Sequence, residues 1–353
     1  PDCDGDRGNL VYWDDRLNES RVLGAQEVFA LAVLAELALL VREGRLRRGE
    51  DGSALDRVAV AANEATSLRV DAITAVFGAE TWRAETGEAN VVGLAARLRE
   101  EGYLVRILGE GSNGGNITYP AEVRDPLATI GALLKLLLLR EDSGGHPREV
   151  DGDEEDDRPP PERRPTAFPE TGKTGEDDGK KEGLFHIWLR LSGRLDRYRP
   201  DFGIGDILDS LPSYATTSVF EQRAALKMRE TDHGALKARY LPVFLREWER
   251  RKAELLRRFG VAGWKAMASQ GMGEREIGEQ FATAGRCGLR LVLEEAGGKA
   301  KGFLWMRGSG TEAGFRIMAD IGGGLPSDEE WLLAWQTSMV READSLVNTA
   351  HNH

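Results

Sequence analysis

Three short strand-like runs decide the fold predicted for this chain. They read Val58-Ala-Val-Ala-Ala62, Glu80-Thr-Trp-Arg-Ala84 and Tyr103-Leu-Val-Arg-Ile-Leu108. Segments of helical composition separate them, from Ser67 to Phe77 and from Val91 to Glu101, and a glycine follows each one (Gly78 and Gly102). Strands that alternate with helices predict an α/β domain, here with a mixed sheet flanked by helices.

The last part of the chain has a different pattern. Three strand-like runs, Gly288–Glu294, Gly302–Met306 and Phe315–Ala319, precede a terminal helix in which Ser327 and Glu330 have the spacing of a capping box. Strands grouped before a helix predict a separate α+β domain with an antiparallel sheet.

We therefore expect three parts. Residues 1–23 are interpreted as the end of a domain, residues 24–212 as the α/β domain and residues 213–353 as the α+β domain. Within the second part, residues 143–183 contain six of the 13 prolines and few apolar residues. This composition predicts a disordered acidic insertion.

Composition excludes several classes of protein. The 353 residues are 41% hydrophobic, enough to bury a core, and 47 basic against 59 acidic residues give a net charge of −12. An acidic chain is a poor candidate for binding nucleic acid or anionic membranes, because both require a basic surface. No apolar run reaches the roughly 20 residues of a membrane span. Two distant cysteines, Cys3 and Cys287, indicate a reducing compartment, and we expect a cytoplasmic protein.

The first loop with chemical potential is Asp2-Cys-Asp4-Gly-Asp6-Arg7. Three carboxylates at alternate positions can converge on one hard cation, and oxygen donors suit Mg²⁺ or Ca²⁺. Arg7 could hold a phosphate beside the metal. The residues alone are equally compatible with an acidic surface turn.

The second loop is Gly109-Glu-Gly-Ser-Asn-Gly-Gly-Asn116. Glu110, Ser112 and Asn113 combine a carboxylate, a hydroxyl and an amide, a mixture that suits sugar hydroxyls because these both donate and accept hydrogen bonds. The loop lacks the lysine of a phosphate P-loop. A flexible connection between strand and helix is the alternative.

The third loop is Arg307-Gly-Ser-Gly-Thr-Glu312, followed by Arg316. Its glycines allow backbone N–H groups to approach an anion, while Ser309 and Thr311 add hydroxyl donors. The composition favours a phosphate site over an ordinary hairpin turn.

These loops, in this order, resemble the α-D-phosphohexomutase family of phosphoglucomutases and phosphomannomutases. That family has a D-x-D-x-D-R metal loop, a G-E-x-S-G sugar loop and an R-x-S-G-T-E phosphate loop. Thr86-Gly87-Glu88 falls where the family has its specificity loop, and Arg124-Asp125-Pro126 resembles the segment after the sugar loop.

The resemblance implies an enzyme that interconverts hexose 1-phosphates and 6-phosphates by Mg²⁺-assisted phosphoryl transfer through a phosphoserine. It implies a metal site, a sugar site and a phosphate site, with a hexose phosphate as the small-molecule partner. The metal ligands are Asp2, Asp4 and Asp6, with Arg7 in support. The implied sugar-binding residues are Glu88, Glu110, Ser112 and Asn113. The implied phosphate-binding residues are Arg307, Ser309, Gly310, Thr311 and Arg316.

The sequence also departs from the family pattern. A T-A-S-H-N-P-like serine loop is missing, so we expect a fragment that lacks the phosphoserine domain and is inactive alone. Asn113 is an extra residue in the sugar loop, Ala313 replaces the usual proline, and Asp320 replaces a glutamate. A non-catalytic module that binds phosphosugars is the main alternative, and a phosphatase of the haloacid-dehalogenase type is a weaker one.

Other residues are interpreted as structural. We expect His186 to pack on a helix, His233 to lie in a surface loop, and Trp331 and Trp335 to join the core. The charged segment 246–258 is expected to be a solvated helix face.

Overall fold

The computed structural model of the protein describes residues 10–49, 53–141, 181–308 and 314–346. The predicted metal loop, nearly all of the predicted insertion and residues 309–312 of the predicted phosphate loop lie outside these ranges. Among the described residues, no helix is long and apolar enough to cross a bilayer.

A small hairpin and a long helix come first in the described chain. Strands β1 (Val11–Asp14) and β2 (Glu19–Val22) pair antiparallel. Helix α1 (Ala25–Arg42) follows, and most of its side chains are buried. Because it is apolar nearly all round, α1 is a core helix rather than a surface helix.

Four strands then form a mixed sheet in the order β4-β3-β5-β6. The elements in chain order are β3 (Ala59–Asn63), α2 (Arg69–Phe77), β4 (Glu80–Ala84), α3 (Glu88–Glu100), β5 (Ile107–Glu110) and β6 (Gly115–Thr118). Strands β4 and β5 lie parallel to β3 on its two sides, and β6 returns antiparallel to β5. Such a sheet, with helices between its parallel strands, confirms the predicted α/β class.

Alternate residues of β3 belong to two cores. Val60 and Ala62 pack with α1 and α2, whereas Ala59 and Ala61 pack with α3. The period of two is that of a strand covered on both faces, which explains its continuous apolar sequence. The first core also takes in residues of three further helices, α4 (Pro126–Leu138), α5 (Leu184–Leu191) and α6 (Ile204–Ser210).

The second part is built on a large antiparallel sheet. Its elements are β7 (Tyr214–Thr216), β8 (Ala225–Leu226), α7 (His233–Phe259), β9 (Val261–Gln270), β10 (Gly273–Glu276), β11 (Leu289–Glu295), β12 (Ala300–Gly308), β13 (Phe315–Gly322) and α8 (Pro326–Ser345). The strand order is β10-β9-β11-β12-β13-β7, and β8 also pairs with β13. Helices α7 and α8 share a core with this sheet, as an α+β arrangement requires.

The two sheets meet through an apolar cluster. Ala65 and Leu68, which follow β3, pack against Phe303, Trp305 and Met318 of the antiparallel sheet. This contact holds the polar ends of β3, β4 and β5 close to the second sheet.

Several details differ from the sequence predictions. The third strand begins at Ile107 rather than Tyr103 and extends through Glu110, because the glycine-rich stretch folds into a tight β5–β6 hairpin. Helix α8 begins at Pro326, and Asp328 rather than Ser327 caps it, accepting a hydrogen bond from the Leu325 backbone N–H at 2.8 Å. The longest strand, β9, was not predicted.

The structure also shows where the histidines and tryptophans discussed above lie. His233 is the first residue of α7 and packs edge-on against Phe315 instead of lying in a loop. His186 lies on α5 against Tyr198, and Trp335 is buried beside a half-buried Trp331, as expected. Pro242 lies inside α7.

Candidate functional site

The carboxyl ends of three parallel strands define the candidate site. From β3 the chain passes through α2 to β4, and from β4 it passes through α3 to β5 on the other side of β3. Connections that leave in opposite directions open a crevice at the strand ends, where α/β proteins usually bind ligands. Asn63, Glu85 and Glu110 lie at these three ends.

Glu110 is the hub of a hydrogen-bond network. Its Oε1 accepts from the Gly87 backbone N–H at 2.7 Å and from Asn63 Nδ2 at 3.3 Å. Its Oε2 accepts from Asn113 Nδ2 at 2.7 Å and from Arg124 Nη2 at 2.8 Å. The carboxylate therefore ties together the ends of β3 and β5, the start of α3 and the segment before α4.

Arg124 connects two of the predicted sugar-binding residues. Besides Glu110, its guanidinium pairs with Glu88, at 3.2 Å between Nε and Oε2. Arg124 directly precedes Asp125, which caps α4 by accepting from the Leu127 N–H at 2.8 Å. The sequence signal for Arg124 was its place in the Arg124-Asp125-Pro126 segment, although no role was predicted for it.

Ser112 instead lines a cavity of about 200 Å³ between the two sheets. The N-terminus of α1 forms one wall, Arg69 another and the end of β7 a third. The Arg69 Nη2 donates to the Tyr214 carbonyl at 2.8 Å, which joins two of these walls. Thus Ser112 is the predicted sugar residue that faces both parts of the molecule.

The two predicted phosphate-binding arginines lie opposite each other. Arg307 near the end of β12 and Arg316 near the start of β13 are partners in the antiparallel register. Arg316 Nη1 donates to the Val219 carbonyl at 2.9 Å. Since like charges directly opposite on a sheet are destabilising, this end of the hairpin is suited to an anion.

One segment connects Arg307 with the predicted sugar loop. Arg307 Nη2 pairs with Glu85 Oε1 at 3.2 Å, and two residues later the Gly87 N–H binds Glu110. Glu85 is also clamped to the second sheet, because its N–H donates to the Gly271 carbonyl at 2.9 Å and its Oε2 accepts from the Gly271 N–H at 3.0 Å. Arg307 and Glu110 consequently share one edge of the molecule.

Two buried ionisable groups near this edge were missed by the sequence reading. Burial raises the pKa of Glu64 to about 7 and lowers the pKa of Lys237 to about 8. Glu64 Oε1 accepts from the Thr86 hydroxyl at 3.1 Å, while its Oε2 has no hydrogen-bond partner among the described residues. Lys237 donates to the carbonyls of Gly285 and Cys287. The only sequence signal for Glu64 is its position after an apolar strand.

The predicted metal ligands Asp2, Asp4 and Asp6 and the supporting Arg7 lie outside the described residues, as do Ser309, Gly310 and Thr311. Within the described ranges, no group of three or more histidine, cysteine, aspartate or glutamate side chains could hold a metal ion.

Comparisons with known proteins give structural neighbours only. No family profile and no curated protein sequence matches the chain. Three solved structures are similar over nearly all of it, each at 13% identity. The first is parafusin, a phosphoglucomutase from Paramecium, of which the alignment covers 44% while it covers 95% of this chain, with a TM-score of 0.40.

Two further solved structures are also of proteins described as mutases or mutase-family members. A phosphoglucomutase/phosphomannomutase family protein from Burkholderia thailandensis aligns over 96% of this chain and 45% of its own length, with a TM-score of 0.41. An N-acetylphosphoglucosamine mutase from Aspergillus fumigatus, solved with GlcNAc-6P and magnesium, aligns over 97% and 48%, with a TM-score of 0.40. The chain spans less than half the length of each.

Proposed function

We propose that this chain carries the sugar-binding and phosphate-binding parts of an α-D-phosphohexomutase and binds a hexose phosphate between its two sheets. The observation that carries the proposal is the register pairing of Arg307 with Arg316, at the edge that Glu85 and Gly87 connect to the sugar loop. Two arginines at paired positions of neighbouring strands favour a dianionic ligand such as a phosphate ester.

Each proposed residue has a role that its chemistry allows. Arg307 and Arg316, with the hydroxyls of Ser309 and Thr311 and the backbone of Gly310, hold the phosphate that is not transferred. Ser112 binds a sugar oxygen in the cavity. Glu88, Glu110 and Asn113 are the other proposed sugar ligands, and the Arg124 network sets their positions.

The proposed cofactor is Mg²⁺. Asp2, Asp4 and Asp6 would hold it, because three carboxylates supply the oxygen donors that this ion prefers, and Arg7 would lie beside the phosphoryl group. The ion when bound would offset negative charge on the transferring phosphoryl group.

The phosphoserine loop is absent from the sequence, so we propose that the 353-residue chain binds hexose phosphate without turning it over. Calorimetry with glucose 6-phosphate should detect saturable binding, while a coupled assay for glucose 1-phosphate conversion stays at background. Robust mutase turnover would contradict the absence of catalysis, and phosphate release would favour the phosphatase alternative.

The arginine pair provides the sharper test. Arg307→Ala and Arg316→Ala should each weaken glucose 6-phosphate binding at least about tenfold, since each removes a charged hydrogen-bond donor. Arg275→Ala, at an exposed position on β10 of the same sheet, is the matched control and should bind normally. Unchanged affinity in both test variants would refute the proposed phosphate site.

A further inference from the structure

A chain of buried hydrogen bonds leads to the Ser112 hydroxyl. The Gly111 N–H donates to Thr66 Oγ1 at 3.1 Å, and the Thr66 hydroxyl donates to Asn63 Oδ1 at 2.6 Å. Asn63 Nδ2 then donates to Ser112 Oγ at 2.8 Å. Asn63 and Thr66 are fully buried, so water does not compete for these bonds.

The orientation of the Asn63 amide is determined by Glu110. Glu110 Oε1 lies 3.3 Å from the Asn63 amide nitrogen, and a carboxylate oxygen can only accept, so the NH₂ group faces Glu110 and Ser112. Asn63 Oδ1 then faces Thr66, whose hydroxyl donates to it while the Thr66 oxygen accepts from the Gly111 N–H. The Thr66 hydroxyl thus supports the orientation that Glu110 sets.

The Ser112 hydroxyl keeps one hydrogen available for donation. Its oxygen accepts from Asn63, which turns its own hydrogen away from the amide, and no acceptor for that hydrogen is present among the described residues. Ser112 is 6% exposed and lines the cavity between the sheets. The available function of Ser112 is thus a hydrogen-bond donor into the cavity.

We propose that Asn63 and Thr66 are positioning residues that hold Ser112 as an obligatory donor, so that the cavity selects a hexose phosphate oxygen able to accept a hydrogen bond there. This inference rests on the proposed function. It adds that ligand selection depends on two residues that need not touch the ligand.

Three variants separate this role from simple packing. Thr66→Val keeps the shape but removes the hydroxyl that supports the orientation of Asn63. Thr66→Ser keeps the hydroxyl and should rescue binding. Thr74→Val, which removes another buried threonine hydroxyl, bonded to the Asp71 carbonyl on α2, is the matched control.

Affinity for glucose 6-phosphate and its monodeoxy and monofluoro-deoxy analogues, measured by calorimetry, is the readout. For wild type, one deoxy analogue should bind about tenfold more weakly, since it leaves a buried donor unmatched. The corresponding fluoro analogue, which can only accept, should recover part of this loss. Thr66→Val should bind the parent ligand about three- to tenfold more weakly and lose its discrimination against that deoxy analogue. Thr66→Ser and Thr74→Val should behave as wild type.

The outcomes are distinct. Absence of hexose phosphate binding in wild type would overturn the proposed function and this inference with it. Binding in wild type with the same deoxy-analogue discrimination in Thr66→Val would overturn this inference alone. If Thr66→Val does not fold, the Asn63→Asp variant tests the inference instead. It places an acceptor oxygen opposite Ser112, so the serine hydroxyl donates to residue 63 and no longer into the cavity. Affinity should then fall about tenfold, and unchanged affinity would refute the inference.

Discussion

Asp320 and Glu64 are two buried carboxylates at the boundary between the sheets. They differ in how many of their oxygens accept hydrogen bonds from the protein. Asp320 on β13 accepts from the Ser67 hydroxyl at 2.7 Å, the Leu68 N–H at 2.9 Å and the Thr216 hydroxyl at 2.5 Å. Glu64 has bonds from Thr86 to one oxygen, and its other oxygen lacks a partner among the described residues.

The difference lies in how many donors replace the lost water. Burial raises the pKa of both groups, so both carboxylates lower the stability of this boundary as pH rises. Three donors bind Asp320, so it can hold the β3–α2 turn to the antiparallel sheet. Glu64 has fewer donors, and one of its oxygens has no hydrogen-bond partner among the described residues.

The largest expected effect comes from removing the satisfied carboxylate. Asp320→Ala leaves three buried donors without an acceptor, and we expect the free energy of unfolding to fall by about 4 kcal/mol. Asp320→Asn, which keeps one acceptor oxygen, should lose less. Urea unfolding of the three proteins measures this, and equal stability of Asp320→Ala and wild type would show that the donors find other partners.

The next effect tests Glu64 through pH. Its folded pKa of about 7 exceeds the usual 4.5, so ionising it between these values costs stability as pH rises. Glu64→Gln should match wild type near pH 4 and be about 3 kcal/mol more stable at pH 8. Glu342→Gln, at a half-exposed carboxylate on α8, is the control. A pH-independent difference between Glu64→Gln and wild type would contradict the pKa assignment.

A smaller effect concerns the contact between Glu85 and Arg307. Glu85 forms an ion pair with Arg307, the arginine that the proposed phosphate site requires. Glu85→Gln should therefore bind glucose 6-phosphate about fivefold more tightly, equivalent to about 1 kcal/mol. Calorimetry at constant ionic strength measures the change, and weaker binding would mean that Glu85 supports the site instead of competing for it.

The smallest effect is expected away from the boundary. Arg246 on α7 pairs with Glu342 on α8 at 2.7 Å, with both side chains substantially exposed. Arg246→Gln should leave the unfolding midpoint unchanged, because exposed ion pairs are screened by water. A clear loss of stability would show that the charged face of α7 is more than a solvated surface.

Local sequence was a good guide where backbone pattern decides structure. The strand Glu80–Ala84 was predicted with its observed bounds, and Gly78 ends α2 in a left-handed conformation as expected. The glycine-rich composition predicts a loop, whereas the stretch is largely a hairpin, because its residues pair with one another across only four turn residues. The sequence pattern does not predict strand β9, because its polar and small residues acquire strand structure only by pairing between β10 and β11.

For the candidate site, the sequence pointed to residues but not to their partners. The predicted sugar and phosphate residues that the structure describes gather near one edge, yet Ser112 lies in a cavity while Glu110 binds four donors. The roles of Asn63, Thr66 and Arg124 depend on contacts with residues up to 49 positions away, at Ser112, for which no local pattern exists.

The sequence by itself determined the α/β and α+β classes, since hydrophobic periodicity and glycine positions act over a few residues. Only the tertiary structure decided which polar groups are buried together. Folding places Glu64 beside Gly288, Asp320 beside Ser67 and Arg307 beside Glu85. The strengths of these contacts depend on the loss of water at the boundary, which is a property of the assembled sheets and not of any segment.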